Sequence, residues 1–357
     1  MSIVVRLMAK EEGVLANNFF NAIYKSNRSL KDFEWEFING PAGPSIYVIA
    51  FDLTVPTAEK VVGIQCAIPI VLIDSSGERV MTAKSEDTLV DPAYRGQKIF
   101  ERMYDLLFEE CRKAAIKYIW GFTPAKKAFE RIGFDIPFQA HQALMVFNPL
   151  KAYSYLATLN AGNGMFQKIK IAGLSFSSWL LKAKGARLQA NPYILKNVEW
   201  DSTYPDLKKL TLDSNYYFLE MSPAYIRWRI SNNPFGNNYA SYHCFDGDKL
   251  VANCIINIRE PRLGYIEQII FDGQLNAAQK RQIISILINE MRGRVDLIRC
   301  LCFDTNAALT DQEAIYKQHG FIVLRRGAHF VWKTLLEDRL LDPKELFLSR
   351  LFTQGNQ

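Results

Sequence analysis

VDPAYRGQKIFERMY, residues 90–104, begins as an extended segment, bends at Arg95-Gly96 and runs into a helix. A bend of this kind leaves the first backbone N–H groups of the helix without intrahelical acceptors, and the helix dipole adds partial positive charge at the same place. Converging N–H groups at a helix start make a site for an anion such as a diphosphate. Gly96 lets the backbone approach a ligand with no Cβ in between. The bend holds one glycine, and Lys98 stands two residues further on. Any helix that follows a turn has such a terminus, so the pattern needs its context.

The context is a duplication. Residues 35–41 (WEFINGP) and 228–234 (WRISNNP) share the pattern WxxxNxP, and a serine stands six residues before each tryptophan, at Ser29 and Ser222. Each serine is placed to cap a short helix that the Asn-x-Pro then ends. Strand-like pairs follow, SIYVIAF with VVGIQCAIPI and NYASYHCF with LVANCIINI. Val90 and Phe271 each end a later strand, and Phe122 and Phe303 lie 32 residues beyond them, across a helical stretch and one more strand. Each half then shows an aromatic, three residues and Gly-Phe, at Phe129 to Gly133-Phe134 and at Tyr316 to Gly320-Phe321. Matches in one shared order predict a duplicated domain. Each copy reads strand, helices, strands, helix, strand, helix, strand. The expected fold is therefore α+β: two tandem domains, each a mixed twisted sheet flanked by helices. The first strand of the second copy is expected near NPYILKNVEW. We place the first domain at 1–149, a helical linker at 150–190 and the second domain at 191–357.

Composition excludes several classes. The chain has 357 residues, 49% apolar and 22% charged, which suits two soluble domains with ordinary cores. Its six cysteines show no CxxC pair and no Cys/His ligand spacing, so reduced thiols in a cytoplasmic protein are expected, and no metal. A net charge of +6 from scattered Lys and Arg gives no basic stripe with interleaved aromatics, and no nucleic-acid partner is expected. No apolar run reaches the ~18 residues of a membrane span. Residues 165–187, with IAGLSFSSWLL between lysines 168, 170, 182 and 184, admit two placements. One is a helix packed between domains, which we favour; the other is peripheral contact with an anionic membrane surface.

With its neighbours, LVDPAYRGQKIF resembles the turn of the GNAT N-acyltransferase superfamily that binds the pyrophosphate of acetyl-CoA; the helix, YIWGF and the final FERIGF extend the resemblance. It covers about residues 3–147, and more faintly about 195–333. It puts Arg95, Gly96, Gln97, Lys98, Ile99 and Phe100 on the cofactor loop. Lys98 stands where the family usually has a second glycine, and Phe100 where it often has Gly or Ala. The second copy has Asn276-Ala277-Ala278-Gln279-Lys280-Arg281 here, without glycine, and is expected not to bind the cofactor.

The resemblance also implies roles. Acyl transfer from a thioester to an amine needs a base, an oxyanion donor and a proton for the leaving thiolate. Glu86 is the first expectation for the base and Asp87 the reserve, although Glu267 occupies the matching place in the second copy. The N–H of Leu89 or Val90 would be the oxyanion donor. Phe129 stands where many relatives carry the tyrosine that protonates the thiolate. His141 is expected to line the acceptor pocket or to be a hydrogen-bonded structural residue. The expected activity is transfer of an acyl group, most simply acetyl, to the amine of a small molecule such as an amino sugar of cell-surface polysaccharide. The alternatives are a lipid-linked or peptidyl acceptor at a membrane surface, and a non-catalytic scaffold. Oligomeric state is not legible.

Overall fold

The computed structural model describes residues 3–54, 60–159, 165–185, 192–200, 203, 207, 209–235, 237–303, 307–324, 327–336 and 341–353. The first repeat contains β1 (Ile3–Leu7), α1 (Gly13–Tyr24), α2 (Leu30–Phe37), β2 (Ile46–Asp52), β3 (Lys60–Ile73), β4 (Arg79–Val90), α3 (Ile99–Lys113), β5 (Tyr118–Thr123), α4 (Lys126–Arg131) and β6 (Asp135–Val146). Helices α5 (Pro149–Leu159) and α6 (Met165–Gly185) follow. The second repeat contains β7 (Tyr193–Val198), β8 (Phe218–Leu219), α7 (Pro223–Ile226), β9 (Asn238–Asp246), β10 (Lys249–Arg259), β11 (Leu263–Phe271), α8 (Ala277–Arg292), β12 (Leu297–Phe303), α9 (Ala307–Gln318), β13 (Ile322–Leu324) and β14 (His329–Thr334). Gly162, Gly164 and residues 186–187 of the expected linker lie outside the described residues.

The chain forms two compact units, and they do not divide at residue 150. One is Met1–Pro137 with Tyr217–Phe235 and His329–Glu345; the other is Phe138–Tyr216 with Gly236–Ala328 and Leu346–Gln357. Each repeat thus gives its last long strand to the other unit. In the first unit the strands run β1-β2-β3-β4-β5-β14. β14 lies antiparallel to β5, from His329 opposite Thr123 to Thr334 opposite Tyr118. Trp332 stacks on Tyr118 at 4.7 Å and Phe330 on Trp120 at 6.1 Å, which anchors the exchanged strand by buried aromatic area. In the second unit β6 takes that place beside β12, from Ala140 opposite Phe303 to Val146 opposite Leu297. The α5–α6 pair expected as a linker belongs to this second unit.

Periodicity explains the cores. Ile99, Met103, Leu107 and Cys111 recur every fourth residue on α3 and pack on Val48, Ala50, Val62, Ala83, Ile119 and Val331. Burying each such aliphatic side chain contributes about 1.5–3 kcal/mol. In the second unit Ile283, Ile284, Leu287, Ile288 and Met291 of α8 do the same against β9 to β12. Ser29 caps α2, accepting the Asp32 N–H at 3.1 Å, and Ser222 caps α7. The repeated tryptophans meet inside the first unit: Trp35 Nε1–H donates to the Trp228 carbonyl at 2.8 Å, and Trp228 Nε1–H donates to the Trp35 carbonyl at 2.7 Å. Their rings stack at 5.2 Å, and both are buried.

Candidate functional site

In each unit two neighbouring parallel strands part company. β4 pairs with β5 only from Thr82 opposite Tyr118 to Lys84 opposite Trp120, although β4 continues to Val90. Beyond that pairing lies a cleft of about 810 Å³ lined by Tyr24, Thr88, Leu89, Val90, the loop 94–100 apart from Gln97, and Thr123 to Phe129 of β5 and α4 in part. This volume falls in the range of small-molecule and cofactor sites. Gly96 has φ +82°, a left-handed conformation, and no atom lies within 4 Å of where its Cβ would stand. Lys98 also takes a left-handed conformation, φ +58° and ψ +24°, at the N-cap of α3. A non-glycine residue holds this conformation at a cost of about 1–2 kcal/mol. The position where the resemblance called for a second glycine keeps the glycine conformation with a lysine in it. No side chain caps α3. Its first N–H groups have no intrahelical acceptor, and Lys98, Ile99 and Phe100, which carry them, line the cleft.

The second unit has the same parting and a different filling. β11 pairs with β12 only from Leu263 opposite Leu297 to Tyr265 opposite Arg299. The space beyond is reduced to about 20 Å³, lined by Glu267, Gln268, Tyr316 and the segment 347–350. Ser349 Oγ donates to Gln268 Oε1 at 2.9 Å, and Arg350 Nε lies 3.4 Å from a Glu267 carboxylate oxygen. The start of α8 is closed too. Asn276 accepts the N–H groups of Ala278 at 2.9 Å and Gln279 at 3.0 Å, and Gln279 reaches back to the Asn276 N–H at 3.0 Å. The amides that a diphosphate would need are already bonded.

The carboxylates of β4 sit at a bulge. Cys66 faces Glu86 and Ile64 faces Leu89, so Asp87 and Thr88 together oppose one residue of β3, and Asp87 has φ +49°. The simple alternation that would send Asp87 to the opposite face from Glu86 is broken here. Asp87 is held by Arg28 through two hydrogen bonds of 3.0 and 2.7 Å and by the Tyr47 hydroxyl at 2.8 Å. The Arg28 guanidinium lies over the ring of Phe20 at 3.9 Å, within a buried ion pair. Glu86 pairs with Lys84, whose side chain is buried while that of Glu86 is 32% exposed. Glu36 on α2 joins this group. Burial, then the charges of Glu86 and Asp87, push its carboxyl up to about 8. Tyr24 lines the cleft: burial, then Asp87 and Glu86, raise its phenol, and Arg95 opposes them.

The expected residues are thus distributed unevenly. Leu89, Val90, Arg95, Gly96, Lys98, Ile99 and Phe100 line one cleft, while Gln97 is in the same loop without lining it. Phe129 lines it as well, packed on Phe100 at 5.7 Å. His141 belongs to the second unit, opposite Cys302, with Nδ1 3.8 Å from Glu313. Glu36, Arg28, Lys84 and Tyr24 were missed. A signal for Glu36 was available, since the paired repeats read Trp-Glu at 35–36 and Trp-Arg at 228–229. All six cysteines are buried, and among the described residues no three His, Cys, Asp or Glu side chains are grouped to hold a metal. No helix among those residues is long and apolar enough to cross a membrane.

Residues 4–136 match the family model described as an acetyltransferase (GNAT) domain. A comparison with curated proteins finds no match. Among solved structures, the chain is similar to a conserved protein of unknown function from Enterococcus faecalis V583, described as a probable N-acyltransferase, at TM-score 0.64 and 12% identity, covering 94% of this chain and 73% of that one. A GCN5-related N-acetyltransferase from Anabaena variabilis ATCC 29413 gives TM-score 0.60 at 12% identity, covering 94% and 74%. A tandem GNAT protein from the clavulanic acid biosynthesis pathway gives 0.54 at 13%, covering 94% and 99%.

Proposed function

We propose, from the match of residues 4–136 to a GNAT acetyltransferase domain and the likeness in fold to a tandem GNAT protein, that the chain is an acyl-CoA-dependent N-acyltransferase in which only the first unit binds the cofactor. The observation that carries this reading is the contrast between two equivalent helix starts. α3 is uncapped beside an open cleft, whereas α8 is capped by Asn276 beside a filled one.

Acetyl-CoA, the simplest donor, supplies an activated thioester. The N–H groups of residues 96–100 hold its diphosphate, and the positive end of the α3 dipole favours that charge. Leu89 or Val90 N–H donates to the thioester oxygen. The acceptor is a primary amine of a small molecule, and an amino sugar is the narrower choice. Glu86, partly exposed and paired with Lys84, and Glu36 are the carboxyl groups set to meet the acceptor amine, since Asp87 is engaged by Arg28. A carboxyl raised to about 8 is a stronger base than an ordinary carboxylate once it ionises, so Glu36, beside Glu86, takes the amine proton as pH rises towards that value. The amine nitrogen then bonds to the acyl carbon, the C–S bond breaks, and the thiolate leaves. Phe129 has no proton to give; of the two phenols lining the cleft, Tyr94 donates its own to Asp52 at 2.8 Å, which leaves Tyr24 as the proton donor.

The test is thermal melting with coenzyme A, followed by an amine panel with acetyl-CoA and detection of released thiol. A ligand at 100 times its dissociation constant stabilises by about 2.7 kcal/mol. A melt unmoved by coenzyme A, with no amine releasing thiol, would favour the scaffold reading instead.

A further inference from the structure

The bulge in β4 is gripped from both faces of its sheet. Gln65 is the single residue of β3 opposite Asp87 and Thr88, because Ile64 pairs with Leu89 and Cys66 with Glu86. Asp87 holds a left-handed backbone, φ +49°. An L-residue keeps that conformation only where its surroundings impose it. On one face Arg28 donates an N–H to each Asp87 carboxylate oxygen, and the Tyr47 hydroxyl donates to Oδ2. Arg28 is itself fixed. Its Nε–H donates to Asn17 Oδ1 at 2.8 Å and its backbone N–H to Asn21 Oδ1 at 2.9 Å. Its carbonyl accepts from the side-chain amides of Asn17 and Asn21, each at 2.8 Å.

On the other face α3 reaches the same bulge with one hydroxyl. Tyr104 Oη shares hydrogen bonds with Ser85 Oγ at 2.7 Å and with Thr88 Oγ1 at 3.2 Å, one before the bulge and one within it. Gln65 Nε2–H donates to Ser85 Oγ at 3.0 Å. Tyr104 is fully buried, its ring packed among Phe100, Phe108, Phe129 and Phe134. The two grips oppose each other across the sheet: Val48 packs with α3, while its neighbour Tyr47 packs on Phe33 and Phe37 of α2.

A bulge re-aims the residues around it. Here those that follow, Thr88, Leu89 and Val90, line the cleft. The geometry points to Arg28 and Tyr104 as positioning residues for acyl transfer, which clamp the bulge so that Glu86 before it and the amides of Leu89 and Val90 after it address one acyl carbon. The assignment rests on the function proposed above.

Tyr104→Phe removes one oxygen from a ring that keeps its packing. Arg28→Lys keeps the charge and loses the two-pronged contact. Each should lower kcat by roughly 10- to 100-fold. The Kd for coenzyme A should stay at the wild-type value, because residues 96–100 are untouched, and this also shows that the variants fold. The midpoint of the rise of kcat with pH should stay in place, because neither residue is the base. A clamp that only stabilises the fold would lower Tm and leave kcat alone, and that result in both variants overturns the proposal. So does a loss that appears in the Kd for coenzyme A instead of in kcat. A wild-type chain that acylates no amine sinks the acyl-transfer reading alone. The clamp is then decided by amide hydrogen exchange over residues 86–90, faster than wild type in both variants if it holds and unchanged if it does not.

Discussion

Gly96→Ala tests the proposed diphosphate cradle with one methyl group. Gly96 lines the cleft, its backbone is left-handed at φ +82°, and its added Cβ would meet no atom within 4 Å. The methyl therefore clashes with nothing in the protein. Its intrinsic cost is the left-handed backbone of an L-residue, about 1–2 kcal/mol. Against that, alanine loses about 0.5–1 kcal/mol less chain entropy than glycine on folding. The net destabilisation is about 0–1.5 kcal/mol, which lowers Tm by a few degrees at most for a unit of this size. Ligand binding should suffer more, because the methyl stands where the diphosphate approaches the amides. Losing one hydrogen bond to a charged group costs about 1.5–3 kcal/mol, or roughly 10- to 150-fold in Kd. Lys98→Gly is the matched control. It relieves the strain of a left-handed lysine and gives back chain entropy, a net gain of about 0–1.5 kcal/mol. Calorimetric titration with coenzyme A and thermal melting read both quantities. If Gly96→Ala binds coenzyme A as the wild type does while melting a few degrees lower, the diphosphate is not held at this bend.

Three further outcomes follow from the side chains around the two clefts. Asp87→Ala should destabilise by about 3–5 kcal/mol, because it leaves the buried Arg28 charge without its partner; chemical denaturation measures this, and a loss below about 1 kcal/mol would show the pair to be dispensable. Arg350→Ala should cost a similar ~3–5 kcal/mol by stranding Glu267, yet coenzyme A should still bind one per chain, because Asn276 continues to occupy the α8 amides. Glu36 has its folded pKa raised to about 8 from an ordinary 4.5, so its ionisation disfavours the folded state progressively as pH climbs between those values. Glu36→Gln should therefore gain Tm over the wild type across that window and hold the gain above it, and the rise of kcat/KM with pH should move; profiles that overlay for the two proteins would remove Glu36 from the base.

What the sequence showed and hid can be traced to particular residues. Ser29, Ser222 and the two tryptophans carry local signals, a cap and an aromatic at fixed spacing, and the structure places them as such. The exchange of β6 and β14 left no local trace, because a strand's pattern reports that one face is buried and not which sheet buries it. Alternation along β4 was assumed through Asp87, and a bulge is invisible to a period of two. Lys98 hid a backbone conformation behind an unfavourable residue type. The segment 347–350 had no counterpart in the first repeat, so its filling of the second cleft could not be read by matching the copies. The missing glycine at 276–281 goes with a different local structure at the start of α8. A loop that binds a diphosphate must leave its amides free to reach it, whereas amides already bonded to a side chain are not. Asn276 and Gln279 bond them as a capping box, which is the physical ground on which the proposed function leaves the second copy without cofactor.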